Sequence, residues 1–367
     1  LKLDQLTFTR YIAALTVVFF HFGQQAFPAT HAWWHPVVTA GPIAVSYFFV
    51  LSGFIMAVAY YQPNAQSLEF NKGKYWLARF ARIYPVYLLA LVLMILANLK
   101  TDGRDPVAIG LSLTMLQAWI PGYAMVLNSP GWSLSVETFF YLSFPFLLYW
   151  VHTKGLKTLT IITLILWLST QTLQVLLHNS ASFEAKGALH QFIYYHPLMH
   201  LSTFMLGLMV GVAFCQGQFR KLDQAWNGLG ILVLSILVIL LLAYETRFEH
   251  YLGFLIDYNN GLIAPVFLAI LVLLAVNNGW TKRFMSLPFL VLLGEASYSL
   301  YILQRPAYGI YDRVLGQWLP LDANLHYYLF AILLTVASIL SFKYMETPLR
   351  RLINSCYGSS GKASSNT

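Results

Sequence analysis

Runs of about 20 apolar residues recur along this chain, and about 20 is the number a helix needs to cross the hydrocarbon core of a bilayer. Ten such segments can be marked: 6–27, 41–60, 83–99, 133–151, 158–177, 197–215, 227–243, 259–277, 287–309 and 325–345. Of the 367 residues 58% are hydrophobic and only 10% charged, with a mean hydropathy of +0.62. A soluble domain carries near a quarter charged residues, so this composition excludes one and suits a lipid solvent. Trp and Tyr gather where apolar runs meet polar ones, as in interfacial belts. The net charge is +8. Its basic residues sit in short loops between apolar runs, so they report membrane topology rather than a nucleic-acid surface. Cys215 and Cys356 have neither zinc nor disulfide spacing and read as unpaired thiols.

Segment 107–120 is apolar but short, and Pro121, Gly122, Pro130 and Gly131 follow it. The positive-inside rule decides whether it crosses. If it does not, 15 basic residues lie on the cytosolic side and 6 outside; if it does, the count becomes 9 against 12. The first arrangement is favoured. It predicts an all-α, polytopic membrane bundle of about ten transmembrane helices, both termini cytosolic, with 107–131 as an extracytoplasmic re-entrant segment. Non-helical backbone at membrane depth needs burial in protein or a wet cavity, so a cavity open to the outside is expected near Pro121 to Trp132. Residues 1–353 read as one transmembrane domain and 354–367 as a disordered cytosolic tail. The first run has no small-residue cleavage site after it and reads as a signal anchor.

Ionisable side chains inside spans are costly and mark functional sites. Arg10 and His21 are eleven residues apart, which on a helix returns to within about 20° of the same face and about 16 Å further along. This places a guanidinium near the cytosolic mouth and an imidazole past the midplane. The plain alternatives are a snorkelling arginine and a histidine bound to a carbonyl. Arg79 and Arg82, at i and i+3, suit a phosphate clamp, or serve simply as positive-inside charge. Glu137, about a turn inside the outer end of its span, is a carboxylate that could orient His21, or an interfacial glutamate. His196 and His200 lack a third ligand and read as interfacial histidines; no metal site is expected. Ser297, Tyr298, Tyr301 and Gln304 put polar groups into the ninth span.

The stretches LDQLTFTRYIAALTVVFFHF, GPIAVSYFFVLSGFIMA, RFARIYPVYLLAL, SPGWSLSVETFFYLSFP, SYSLYILQRP and METPLRR occur in this order. Together they resemble the acyltransferase-3 family of bacterial integral membrane acyltransferases, many of them O-acetyltransferases of surface polysaccharides. The resemblance runs nearly end to end. It implies that Arg10 and His21 are the family's first-helix pair, that Arg79 and Arg82 are donor-side arginines, and that Trp132, Ser133 and Glu137 belong to the extracytoplasmic block. Gln304 is a departure, since the family usually has His before the Arg305-Pro306 position.

From residues and resemblance together, the expected function is transfer of an acyl group, most simply acetyl, from cytosolic acyl-CoA to a hydroxyl of an extracytoplasmic or lipid-linked saccharide. The setting would be the bacterial inner membrane and the outcome a modified envelope polysaccharide. His21 and Glu137 would be catalytic, Arg10, Arg79 and Arg82 would hold the donor, and Trp132 and Ser133 would face the acceptor or oxyanion. Acyl-CoA (acetyl-CoA) is the only co-substrate expected. The alternative class is a transporter or exporter that uses the same polar lane without covalent chemistry.

Overall fold

The computed structural model describes residues 3–63, 70–100, 102–222 and 226–363, without the side chains of Asp102 and of 356–363. Lys2 and the side chains of Cys356 and Lys362 lie outside the described residues. In chain order the helices are α1 (Asp4–Phe22), α2 (His35–Thr39), α3 (Ile43–Tyr60), α4 (Lys72–Ala97), α5 (Pro106–Leu113), α6 (Gly131–His178), α7 (Ala188–Tyr195), α8 (Pro197–Cys215), α9 (Asn227–Ala243), α10 (Glu245–Leu252), α11 (Ala264–Val276), α12 (Trp280–Met285), α13 (Pro288–Tyr311), α14 (Ala323–Ser341) and α15 (Thr347–Ala363). The described residues form no strand. Starts are chemically marked. Asn71, Asp105 and Asp322 accept from the backbone N–H of Lys74, Val107 and Leu325, satisfying donors the first turn leaves open. Pro106, Pro197 and Pro288 sit where a missing N–H costs nothing.

All ten segments expected to span fall on helices. Five stretches are long and apolar enough to cross a bilayer: Ile43–Tyr60, Lys72–Ala97, Gly131–His178, Ala188–Cys215 and Ala323–Ser355. The apolar pair α9 and α10 bends by 62°, and α11 is shorter. The 48-residue α6 breaks at Gly155, where φ is +77°. At 1.5 Å per residue it is about 70 Å long, enough to cross and return. Helices α1 and α13 are long enough to span but carry Arg10, His21, Glu295 and Arg305. At the chain's end, where the sequence reads as a disordered tail from 354, α15 continues to Ala363.

Small residues let the central helices meet backbone to backbone, as membrane bundles require. A Cβ at Gly53 of α3 would strike the carbonyl of Phe204 on α8, and one at Gly207 of α8 would strike the carbonyl of Val50. Further along, Gly211 meets Ala57 and Cys215 approaches the Ala57 carbonyl, so α3 and α8 run parallel. Gly294 of α13 sits on the Thr7 carbonyl of α1 in the same way. The chain therefore has two distinct ends. One gathers the start of α1, the end of α3, the start of α4, the middle of α6 and the end of α14, with Lys72, Lys74, Arg79, Arg82, Lys154 and Lys157; we call it the basic end. The other gathers the end of α1, the start of α3 and the turn into α6.

Residues 106–131 do not traverse the bundle. They dip from the end of α4 and return. Tyr84 and Tyr87, ten or more residues back along α4, donate to the carbonyls of Leu113 (3.1 Å) and Ser112 (2.7 Å). Gln117 Nε2 donates to the Gly131 carbonyl at 2.8 Å, and Asn128 Nδ2 to the Ile302 carbonyl at 3.1 Å. Met115 and Leu127 hold positive φ, 56° and 61°. Buried side chains thus supply the partners that irregular backbone lacks in lipid. In consequence α6 begins deep in the bundle, with Gly131 against the ring of Tyr87.

Candidate functional site

Four arginines from three helices turn onto one space. Arg10 of α1, Arg79 and Arg82 of α4 and Arg350 of α15 line a cavity of about 370 Å³ at the basic end, together with Glu137, Tyr141, Ser133, Tyr301 and Glu346. Arg79 is the most firmly held. Its Nη2 donates to Tyr60 at 3.1 Å, and its guanidinium carbon lies 5.7–5.8 Å from the ring centres of Tyr60, Tyr75 and Tyr141. Such aromatic cages favour a cation. Its Nε–H is buried without an acceptor. The Arg10 and Arg82 guanidiniums have no hydrogen-bond or ion-pair partner among the described residues. The electrostatic neighbours of Arg10 are Arg82, Glu137, Glu346 and Tyr141. Four carboxyl side chains, Asp4, Glu137, Glu295 and Glu346, line the same cavity and balance its four guanidiniums in formal charge. The N–H donors of Arg10 and Arg82 are left open to a ligand that brings acceptors.

Glu346 was not among the expected site residues. It is 2% exposed, accepts from Ser299 Oγ at 3.3 Å, and faces Arg82, Arg10 and Arg350. A π-helical turn, Phe342–Glu346, brings it inward, and such turns concentrate at functional sites. The tyrosine cage around Arg79 was also unforeseen. Tyr60 lies on α3, Tyr75 on α4 and Tyr141 on α6, and no sequence spacing links them.

The second station lies above this cavity. His21 is not among the residues lining it. Its Nδ1 is 2.9 Å from Gln304 Oε1, and Gln304, fully buried, donates from Nε2 to the Tyr301 carbonyl at 2.7 Å. Rings of Phe20 and Phe22 flank the imidazole at 5.1 and 5.9 Å. The neighbouring Arg305 donates from Nε to Ser129 at 2.8 Å. Between the stations Tyr301 Oη and Ser133 Oγ are 2.8 Å apart, and both reach the Pro130 carbonyl. Phe48 packs edge-on against Tyr301 at 5.9 Å. Arg10 and His21 belong to one helix, but Arg10 lines the cavity and His21 does not.

One expectation is corrected. Glu137 does not stand beside His21: it accepts a hydrogen bond from Tyr141 and lines the arginine cavity. Sequence counting put it one turn below the outer surface. Because 106–131 dips first, α6 starts near the level of Tyr87, and residue 137 is about 9 Å deeper still. Trp132 packs against Tyr195, His200 and Phe49 at 5.2, 5.4 and 6.2 Å, whereas Ser133 lines the cavity. His200 donates from Nε2 to the Tyr194 carbonyl at 3.0 Å and His196 caps α8. Both serve local structure.

The architecture is that of a membrane bundle with an arginine-lined chamber beneath a hydrogen-bonded histidine. The model of the acyltransferase-3 family, an acyltransferase domain, matches residues 3–343, and the chain belongs to that family. It is similar to the acyltransferase MdmB of Streptomyces mycarofaciens, 35% identical over 161 residues, which cover 39% of this chain and 38% of that protein. It is also similar to the O-acetyltransferase OatA of Staphylococcus aureus (strain NCTC 8325 / PS 47), 23% identical over 373 residues, which cover 93% of this chain and 56% of that protein. The chain thus spans about half or less of the length of these relatives. No solved structure matches it.

Proposed function

We propose that the protein is a membrane O-acyltransferase that takes an acyl group from acyl-CoA, most simply acetyl-CoA, at its basic end and delivers it to a hydroxyl of a saccharide acceptor near His21. The observation that carries this reading is the convergence of Arg10, Arg79 and Arg82 on one cavity whose far wall, Ser133 and Tyr301, lies directly below His21 and Gln304. By the positive-inside rule the basic end faces the cytosol, where acyl-CoA is found. A cavity of about 370 Å³ suits the pantetheine arm and its acyl group, with the nucleotide at the mouth and its phosphates against the arginines.

For transfer the thioester passes the Tyr301–Ser133–Phe48 layer. His21 then takes the proton of the acceptor hydroxyl. The oxygen attacks the thioester carbonyl, the carbon–sulfur bond breaks, and the proton returns to the leaving thiolate. Glu137 is reassigned by its position. It balances charge among the donor arginines instead of assisting the base. Ser133, lining the cavity at its far wall, is the better placed of the two expected oxyanion residues.

The test uses the purified full chain in liposomes with acetyl-labelled acetyl-CoA and envelope glycans as acceptor, followed by mass spectrometry. The parent is expected to acylate glycan and release CoA, and His21→Ala to lose both by on the order of 100-fold or more while binding acetyl-CoA normally. Parental turnover in His21→Ala would remove the base. Solute flux without acyl transfer in the parent would move the protein to the exporter class.

A further inference from the structure

The Gln304 contact deepens the reading of His21 as base and rests on it. A carboxamide has one face that only donates and one that only accepts. In this chain the choice between them is made by the backbone. Gln304 Nε2 lies 2.7 Å from the Tyr301 carbonyl, an acceptor with no proton to give. Turning the amide over would set Oε1 against that carbonyl, acceptor against acceptor, in a side chain with no exposed surface. Such a mismatch would leave two buried acceptors facing each other with no donor between them. Oε1 must therefore face His21, and an oxygen there can only accept. The 2.9 Å contact puts the imidazole proton on Nδ1.

No described residue bonds His21 Nε2. The ring is only partly buried, and Nε2 is not one of the sealed, unpartnered polar atoms. It carries the free lone pair and opens onto accessible space. We propose that Gln304 is a positioning residue that holds His21 in the Nδ1–H tautomer, so that Nε2 is the atom that receives the acceptor's proton. Oε1 accepts equally well from the neutral ring and from the imidazolium formed after proton transfer, so the contact survives the catalytic cycle. A histidine at 304, as the resemblance leads one to expect, can switch between donor and acceptor and lacks this fixed polarity. The chain has exchanged a titratable partner for one of permanent orientation.

The experiment measures acetyl-CoA turnover, with water as the minimal acceptor, over a range of pH for the full chain in liposomes and for Gln304→Leu, Gln304→Glu and His21→Ala. Gln304→Leu removes the acceptor for Nδ1–H. It is expected to lower kcat by on the order of 100-fold, with the acetyl-CoA KM within twofold of the parent. In Gln304→Glu one carboxyl oxygen meets the Tyr301 carbonyl, so the acid keeps its proton there and donates to that carbonyl, while its other oxygen still accepts from Nδ1–H. It is expected to regain most of kcat, again with the acetyl-CoA KM within twofold of the parent. Gln304→Leu at parental rate, or Gln304→Glu as slow as Gln304→Leu, overturns the proposal while leaving His21 as the base. If Gln304→Leu fails to fold, kcat of Gln304→Glu against the parent still decides. His21→Ala at parental rate removes the base and this proposal together, and is thereby distinguished from failure of the Gln304 role alone.

Discussion

The two stations in this bundle are built on opposite principles. At the basic end Arg10 and Arg82 are held in place by packing and left without protein partners, and Arg79 is gripped by tyrosines yet keeps a buried Nε–H unmatched. At the His21 end the hydrogen bonds run in one chain, from imidazole to carboxamide to backbone carbonyl, with a single nitrogen left over. The first arrangement has balanced charge but open guanidinium donors and broad geometry, which on the proposed reading suits it to recruit a ligand. The second has matched partners and narrow geometry, so it orients. The proposed transfer between substrates from opposite sides would use both, and the Tyr301–Ser133–Phe48 layer lies between them.

This contrast breaks most readily at the arginines. Arg79→Ala with Arg82→Ala removes two charge-assisted contacts of about 1.5–3 kcal/mol each, so the acetyl-CoA KM is expected to rise by on the order of 100-fold or more, with the acid limb of the rate profile unmoved. Steady-state kinetics in liposomes checks both. An unchanged KM would place the donor elsewhere. A smaller effect is expected at the seam that supports the cavity wall. Gly207→Ala drives a methyl group into the Val50 carbonyl, and overpacking of this kind costs about 1–3 kcal/mol. Thermal unfolding in detergent should show a loss of several degrees, and acetyl-CoA binding should weaken while the rate profile keeps its shape. The smallest effect concerns charge at the start of α10. Burial, then Asp257, then Glu249 push the Glu245 carboxyl up to about 7. A carboxyl held above its ordinary range is protonated more in the folded than in the unfolded chain. Its burial therefore costs nothing below about pH 4.5, and stability falls as pH rises toward 7. Glu245→Gln is expected to raise the unfolding temperature by about 1–2 °C at pH 8 and leave it unchanged at pH 4.5. An equal gain at both values would show that packing, not titration, sets the effect.

Much of this was legible beforehand. The all-helical, apolar character of the chain, the failure of 107–120 to cross, and the grouping of Arg10 with Arg79 and Arg82 all follow from hydrophobic length, charge asymmetry and helical period. These are local properties of a chain in lipid. The depth at which a helix begins is not local. Glu137 was misplaced because the dip of 106–131 is anchored by Tyr84, Tyr87 and Gln117 through contacts the period of α6 cannot encode. Glu346 and the tyrosine cage were missed for the same reason.

Sequence alone determined that this chain is a helical bundle for a bilayer, with guanidiniums toward one end of α1 and an imidazole at the other, because apolar length and residue period act within each segment. Only the tertiary structure decided which side chains meet. Gln304 rather than Glu137 holds His21, because partners in a bundle are chosen by the depth and rotation of neighbouring helices, and those are set by small-residue crossings and by a re-entrant turn far from either residue.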